Sequence, residues 1–294
     1  MMVRKSLHRH SRGGGSSPAG GDGCLLKTLG AVALSRRDDG APPVWLLGPG
    51  KLVSLLTWVA CTPGRQADTG QLIDLLWSDR DSATAHHDLR QAIWQLRRKL
   101  GRTAITCGRR AVALRTPIRV DREEFLDAVD RGALDQAVAL YGGEFLPGVP
   151  AAGARGFEEW ADLERYRLRR IFCRAAESLA RQSLAAGRCL EAQQLASRVR
   201  DADPHDEAAW VLLLEMLLAA GDPVRAAAEA DLLERVLATD GRVAQPHTHA
   251  LLRRVRRAAE RGPPAGAPAT LAPALTDRDG ELRLLLGAWE AARG

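Results

Sequence analysis

The segment Ser82–Gly101 constrains the fold of this chain most. Its apolar residues recur at intervals of three and four, the spacing that brings side chains to one side of an α-helix. They are Ala85, Leu89, Ala92, Ile93, Leu96 and Leu100. An amphipathic helix of this kind buries its apolar side in a core and leaves its other side for a partner.

The opposite side of the same predicted helix is polar and basic. It carries Thr84, His87, Gln91, Trp94 and Arg98, flanked by Arg90, Gln95 and Arg97. The bias continues past the helix, since the stretch from Leu89 to Val120 contains nine Lys or Arg residues and no Asp or Glu. A surface that is merely soluble does not require this local imbalance, which is typical of nucleic-acid-binding proteins.

The segments around this helix predict a winged helix-turn-helix. The runs Cys24–Leu34 and Val44–Leu47 have the character of strands joined by a polar turn. Lys51–Cys61 has helical spacing, and Thr69–Trp77 predicts a second helix with Thr69 as its N-cap. After the basic helix, two short apolar runs separated by GRR predict a β-hairpin with two arginines at its tip. These runs are Ala104–Cys107 and Ala111–Leu114, and the arginines are Arg109 and Arg110.

In a winged helix of this order, the basic helix is expected to enter the major groove of DNA. His87 and Gln91 lie in the half of the helix that reaches base edges, and the amide of Gln can pair with adenine. For Trp94, contact with sugar or base is one interpretation, but packing against neighbouring side chains is favoured. The predicted DNA-binding set is Thr84, His87, Arg90, Gln91, Gln95, Arg97, Arg98, Arg109 and Arg110.

From Asp121 onward the pattern is helical. Asp121 is a candidate cap for the helix that follows it, and further helices are predicted over Leu134–Tyr141 and about Phe157–Ala186. The sequence LAAGRCLEA, which begins at Leu184, recurs as LAAGDPVRA from Leu218, an offset of 34 residues. This offset is the period of tetratricopeptide repeats, whose paired helices stack into a solenoid. The expected fold class is therefore mainly α with a small β component, a winged helix-turn-helix followed by a tetratricopeptide-like all-α domain.

These patterns divide the chain into five predicted segments. Residues 1–23 are a basic arm rich in Gly and Ser and are expected to be disordered. Residues 24–118 form the winged helix-turn-helix and residues 119–261 the helical domain. Residues 262–275 form a Pro/Ala linker, and residues 276–294 are expected to start a C-terminal domain that is truncated or missing.

Composition and motif content favour a protein without catalytic activity. The net charge of +6 and the pI of about 9.4 favour acidic partners. The five cysteines are widely spread without a C-x-x-C pair, so neither a disulfide framework nor a zinc site is predicted. The chain also lacks the motifs of hydrolases, dinucleotide binding and the ATP phosphate loop. With no signal peptide and no apolar run of about 18 residues, we expect a cytoplasmic protein without membrane association, cofactor or metal.

Several blocks together resemble the actinobacterial antibiotic-regulatory (SARP) family of transcriptional activators, over about Cys24 to Arg257. The blocks are LIDLLW (72–77), DLRQAIWQLRRKLG (88–101), ALYGGEFLPG (139–148), FEEWADLERYRLR (157–169) and DADPHDEAAWVLLLEMLLAAGD (201–222). The resemblance implies a winged helix followed by a bacterial transcriptional activator domain. It also implies binding to direct repeats in promoter double-stranded DNA as side-by-side protomers, and contacts of the helical domain with a second copy and with RNA polymerase.

Two other functions remain open at this point. The first is a tetratricopeptide-type scaffold whose winged helix no longer binds DNA, although a scaffold has no need of the acid-free basic stretch. The second is the N-terminal half of a regulatory signal-transduction ATPase, because DRDGEL (277–282) resembles the opening of such a domain. A helix with Arg253, Arg254, Arg256 and Arg257 could form a second nucleic-acid patch, but a solvated face is favoured since tetratricopeptide-like modules usually bind protein.

Overall fold

The computed structural model of the protein describes residues 23–37, 42–149 and 154–261. The predicted arm up to residue 22, the predicted linker and the final segment lie outside the described residues. The chain divides into two compact units. The first contains residues up to Ser183 together with Asp201–Asp203, and the second contains Leu184–Arg200 and the residues from Pro204 on.

The first unit begins with a four-stranded sheet. Its strands are β1 (Gly23–Lys27), β2 (Ala33–Arg37), β3 (Val44–Leu47) and β7 (Ile118–Val120), in the order β3-β2-β1-β7. β1 pairs antiparallel with β2 and parallel with β7, so that Leu26 lies opposite both Leu34 and Val120. All three of these side chains are buried, because alternate residues of each strand face the core.

The prediction of one strand over Cys24–Leu34 is wrong, because the chain reverses direction between β1 and β2. Gly30 lies in this turn with a φ of 75°, a conformation that favours glycine. A Cβ atom at Gly30 would lie 2.3 Å from the carbonyl oxygen of Gly142, so the two backbones approach more closely than any side chain permits. The apolar run continues through the turn, and for this reason the strand pattern hid the reversal.

Three helices and a small sheet complete the winged helix-turn-helix. The helices are α1 (Lys51–Cys61), α2 (Thr69–Leu76) and α3 (Ser82–Leu100). The second sheet contains β4 (Gln66–Asp68), β5 (Ile105–Cys107) and β6 (Ala111–Leu114) in the order β4-β6-β5. The predicted helices and hairpin are confirmed. The N-cap of α2, however, is Asp68 and not Thr69. The Asp68 carboxylate accepts a hydrogen bond from the backbone N–H of Gln71 at 3.0 Å.

Three helices of the first unit follow β7: α4 (Asp121–Asp130), α5 (Leu134–Leu140) and most of α6 (Arg155–Ala185). The prediction that Asp121 caps α4 is wrong, because the N-cap residue is Val120 and Asp121 is already helical. Its carboxylate is turned away to the β1–β2 turn, where it accepts hydrogen bonds from the backbone N–H groups of Thr28 and Leu29.

Aromatic side chains join the winged helix to α6 within the first unit. Trp58 of α1 meets Trp160 of α6 edge to face, with their ring centroids 4.8 Å apart. Phe145 and Phe157 surround the same Trp160 at centroid distances of 5.6 and 5.3 Å. Edge-to-face pairs of this kind stabilise a contact beyond the apolar area that they bury. The packing therefore crosses the predicted boundary between residues 118 and 119.

The second unit is helical, with α7 (Cys189–Ala202, of which the residues to Arg200 belong here), α8 (Glu207–Ala219), α9 (Pro223–Thr239) and α10 (Pro246–Arg261). The two copies of the repeated sequence form equivalent turns, since Gly187 and Gly221 both have a φ of 77°. α10 contains the predicted helix with Arg253, Arg254, Arg256 and Arg257. The mainly α fold class with a small β component is confirmed. In the described part of the chain, every helix is too short or too polar to cross a lipid bilayer.

Candidate nucleic-acid interface

The start and end of α3 are fixed by local interactions. The carboxylate of Asp81 accepts hydrogen bonds from the backbone N–H groups of Ala83 and Thr84 at 3.1 and 3.0 Å. Hydrogen bonding from the side chain and backbone of Thr84 holds the pKa of Asp81 below its usual value. The helix ends before Gly101, which has a φ of 107°. The basic last turn complements the negative end of the helix dipole.

The two sides of α3 are divided as the sequence predicts. The side that faces the core is formed by Ala85, Leu89, Ala92, Ile93 and Leu96, all of them buried. On the other side, exposed side chains follow one another at intervals of three or four residues. This exposed stripe consists of His87, Gln91, Trp94 and Arg98, with Arg90 exposed beside it. The stripe is the surface of α3 that a DNA groove could contact.

Three residues of the predicted DNA-binding set lie beside this stripe. Thr84 is half-buried and hydrogen-bonds to Asp81. Gln95 is half-buried in an open groove whose other lining residues include Leu52 and Lys99. The Nε of Arg97 donates to the carbonyl oxygen of Ile105 at 2.8 Å, which ties α3 to the first strand of the hairpin.

The favoured interpretation that Trp94 packs against neighbouring side chains holds for Arg98, but the residue is not buried. The residue is 56% exposed, because none of the described elements folds over this part of α3. The guanidinium group of Arg98 lies over its ring, 4.9 Å from the ring centroid, in a cation–π contact. Trp94 was absent from the predicted set, and the signal that could have placed it there is its helical register with Gln91 and Arg98.

The β5–β6 hairpin presents a second basic surface. Arg109 and Arg110 are exposed in the loop between the strands. Backbone hydrogen bonds hold this loop in place, since the N–H of Gly108 donates to Ala111 at 2.9 Å and the N–H of Thr69 donates to the carbonyl of Arg110 at 3.0 Å. The hairpin predicted from the sequence is confirmed, with both arginines at its tip.

The cations of the basic stretch fall into two groups. Some are used within the fold: Arg119 forms an ion pair with Glu124 at 2.6 Å, and the Nε of Arg115 donates to Thr106. In contrast, no carboxylate among the described residues forms an ion pair with Arg90, Arg98, Arg109 or Arg110. Positive charges that no carboxylate neutralises attract an anionic ligand most strongly, so these four contribute to the electrostatic part of the candidate interface.

The described residues offer little for a cofactor. None of their His, Cys, Asp and Glu side chains form a group of three or more that could hold a metal ion. A cavity of about 680 Å³ lies between the first sheet and α4. Charged side chains on its wall are paired with one another, Arg65 with Glu123 at 2.8 Å and Arg119 with Glu124. The cavity therefore presents few unpaired charges to a ligand.

Trp210 occupies the centre of the repeat unit in the second compact unit. Its side chain is 4% exposed, its Nε1 donates to the carbonyl oxygen of Pro204 at 2.8 Å, and the guanidinium of Arg200 lies 5.0 Å from its ring centroid. Arg200 in turn pairs with Glu229 of α9 at 2.9 Å. Trp210 is thus buried, and its polar contacts link α7, α8 and α9.

Comparison with known proteins gave a match to a family model and matches to solved structures. Residues 120–256 match the model of the bacterial transcriptional activator domain. The chain is similar in structure to EmbR of Mycobacterium tuberculosis, solved in complex with a low-affinity phosphopeptide, with a TM-score of 0.57 and 19% sequence identity. The match covers 83% of this chain and 66% of the EmbR chain, and at this identity it shows a shared fold. A comparison with curated proteins gave no match.

The family match begins at the last residue of β7 and continues into α10, so it spans the helices that follow the winged helix. The order of a winged helix and then this domain is the order that the resemblance implied. The matched residues 120–256, a little under half of the chain, therefore resemble a bacterial transcriptional activator domain.

Proposed function

We propose that the protein is a DNA-binding transcriptional activator whose helix α3 enters the major groove of promoter DNA. The observation that carries this proposal is the exposed stripe of α3, which continues into the stretch Leu89–Val120 with its nine cations and no acid. The major groove is wide enough to admit an α-helix, and the groove walls are lines of phosphate. A stripe with polar groups along its centre and arginines beside it suits such a groove.

The residues of the stripe have different proposed roles. Gln91 and His87 read base edges, since an amide can pair with adenine and an imidazole can donate or accept a hydrogen bond. Arg90 and Arg98 contact phosphates, which positions the helix without reading sequence. Trp94 contributes an apolar contact with a base or sugar, because its exposed ring would be desolvated in the groove.

The remaining members of the predicted set have supporting roles in this proposal. Arg109 and Arg110 contact the DNA backbone from the hairpin tip, where both are exposed. Arg97 positions that hairpin through its hydrogen bond to Ile105. Thr84 and Gln95, both half-buried at the edges of the stripe, make peripheral contacts.

For the helical domain, we propose self-association on direct repeats and contact with RNA polymerase. The support is the family match over residues 120–256 together with the SARP resemblance. In this proposal the protein acts in the cytoplasm as a regulator and not as an enzyme.

In vitro selection tests the proposal, with the full chain and a library of random DNA duplexes. We expect enrichment of a motif that occurs twice in the same orientation, followed by stimulated transcription by RNA polymerase from a promoter carrying that motif. The matched comparison is Arg90→Ala with Arg98→Ala, which should enrich the same motif less efficiently because it binds all duplexes more weakly. A wild-type chain that enriches no sequence would contradict the proposal and favour the scaffold function.

A further inference from the structure

Helix α10 has an unusual charge distribution. Its sequence, PHTHALLRRVRRAAER, contains five arginines and a single acid, Glu260. Leu251, Leu252 and Val255 are buried and fix which side of the helix faces the core. Most of the other residues of the helix are exposed.

Four of the arginines share the solvent side. At 100° per residue they fall within an arc of about 100°, and three of them follow one another at intervals of four residues, about 6 Å apart along the axis. They are Arg253, Arg254, Arg257 and Arg261, here called the α10 arginine face, and all four are exposed.

The α10 arginine face is not neutralised by the fold. Arg256, which lies outside it, is paired with Glu234 of α9, since its Nη2 donates to both carboxylate oxygens at 2.7 and 2.6 Å. Throughout the described residues, no carboxylate lies within ion-pair distance of the four arginines of the face. Arg257 and Arg261 use only their Nε, to donate to helix carbonyls one turn earlier. Most of the guanidinium N–H groups therefore remain available to a ligand.

We propose that the α10 arginine face is a second, sequence-independent binding site for the phosphate backbone of duplex DNA. This inference rests on the proposed DNA-binding function and adds a contact from the helical domain. Rows of unpaired arginines match a polyanion, since each guanidinium that meets a phosphate releases condensed counterions.

The chemistry of the face favours DNA over a protein partner. Protein interfaces are centred on desolvated apolar or aromatic side chains. Among the described residues, none of the large exposed apolar side chains belongs to α10. A face that offers charge and no apolar contact can gain affinity only from a partner with dense, regular charge, and duplex DNA has one negative charge per about 1.7 Å of its axis.

The test measures the salt dependence of binding with the full chain and a fluorescent random-sequence duplex. Binding is titrated from about 50 to about 200 mM salt. The variant Arg253→Gln with R254Q, R257Q and R261Q should bind more weakly, and the slope of log K against log salt should become shallower by about 3 to 4.

Two controls separate this effect from loss of charge or fold. The dispersed variant Arg155→Gln with R181Q, R188Q and R235Q removes the same formal charge from exposed positions elsewhere, and should keep the wild-type slope. The matching Lys variant of the α10 arginine face retains the charge and should restore the slope. The circular dichroism spectrum of every variant should match that of the wild type, which shows that the fold is kept.

The outcomes distinguish this inference from the proposed function. If the wild-type chain binds DNA and its slope of log K against log salt equals that of the Gln variant, only this inference is overturned. The winged helix is then the whole DNA-binding site. A wild-type chain that binds neither random nor selected duplexes overturns both. A shallower slope in the Gln variant, with the dispersed variant unchanged, supports the second site.

Discussion

The carboxylate of Asp121 binds Thr28 through three hydrogen bonds across 93 residues of sequence. The backbone N–H of Thr28 donates to both carboxylate oxygens at 2.9 Å, and its Oγ1 donates to Oδ1 at 2.6 Å. Thr28 is fully buried and Asp121 is 7% exposed. Because Thr28 precedes the β1–β2 turn and Asp121 begins α4, this contact joins the first sheet of the winged helix to the helices that follow it.

Replacing Asp121 should therefore destabilise the first unit. In Asp121→Asn, one carboxylate oxygen becomes an NH2 group that faces N–H donors, so buried donors lose their acceptor. We expect the free energy of unfolding to fall by about 2–3 kcal/mol. Urea denaturation followed by circular dichroism measures the change. The control Asp127→Asn, at an exposed position of the same helix, should stay within about 0.5 kcal/mol of wild type. Equal stability of both variants would show that the Thr28 contact contributes little.

The same contact shows what the sequence could not predict. α3 was predicted with its buried side because its periodicity is local, and the hairpin was predicted because turn residues lie between two apolar runs. Nothing near Asp121 in the sequence indicates a partner 93 residues away, so a cap was the better local interpretation. The reversal at Gly30 was hidden for a related reason, since it is required by the approach of Gly142.

For the interface, the sequence predicts which side of α3 is exposed, but not which contact each side chain makes. Arg97 has the same local sequence character as Arg98, yet one hydrogen-bonds to Ile105 and the other stacks on Trp94. Which of them faces solvent depends on where the hairpin packs. For Trp94, packing against neighbouring side chains was favoured by the usual preference of its residue type, and its exposure follows from the absence of a covering element in the described chain.

The ionisation of Glu207 should make the stability of the second unit depend on pH. Burial alone would raise the pKa of Glu207, but hydrogen bonds from Thr248 and the backbone N–H of Gln245, with Arg242 nearby, hold it below its usual value. A lowered folded-state pKa contributes stability above the unfolded-state pKa, and that stability is lost as the pH falls through the folded-state value. Glu207→Gln should thus lower the free energy of unfolding at pH 7, and its difference from wild type should shrink below about pH 4. Urea titrations at several pH values measure this, with the exposed Glu260→Gln as control. A difference that stays constant down to the lowest pH would contradict the assigned ionisation.

Trp210 should separate activation from DNA binding. Truncation of a buried Trp costs about 3–5 kcal/mol, which is comparable to the whole stability of a marginal domain. We expect Trp210→Ala to abolish promoter activation in a reporter assay and to abolish cooperative binding to two repeats. Binding to a single half-site should persist. The control Trp210→Phe keeps a ring near Arg200 but loses the hydrogen bond to Pro204, and should be intermediate. Full activation by the Ala variant would refute the role given to the helical domain.

Gln91 should affect specificity more than affinity. A hydrogen-bonded base contact is worth about 1–3 kcal/mol of discrimination and adds little to binding of random DNA. In competition assays with the selected motif, Gln91→Ala should therefore lose preference for the motif while its affinity for random duplexes is unchanged. If both affinities fall equally, Gln91 positions the helix or supports its fold and does not read a base.

The most direct measurement is the affinity of the full chain for its selected DNA with and without Arg90 and Arg98. Both residues lie on or beside the exposed stripe of α3, opposite the buried Leu89, Ile93 and Leu96. If α3 enters the groove with this face, Arg90→Ala with Arg98→Ala should weaken binding to all sequences. The slope of log K against log salt should become shallower by about one for each arginine. An unchanged titration and an unchanged salt slope for the folded double variant would contradict the proposed interface.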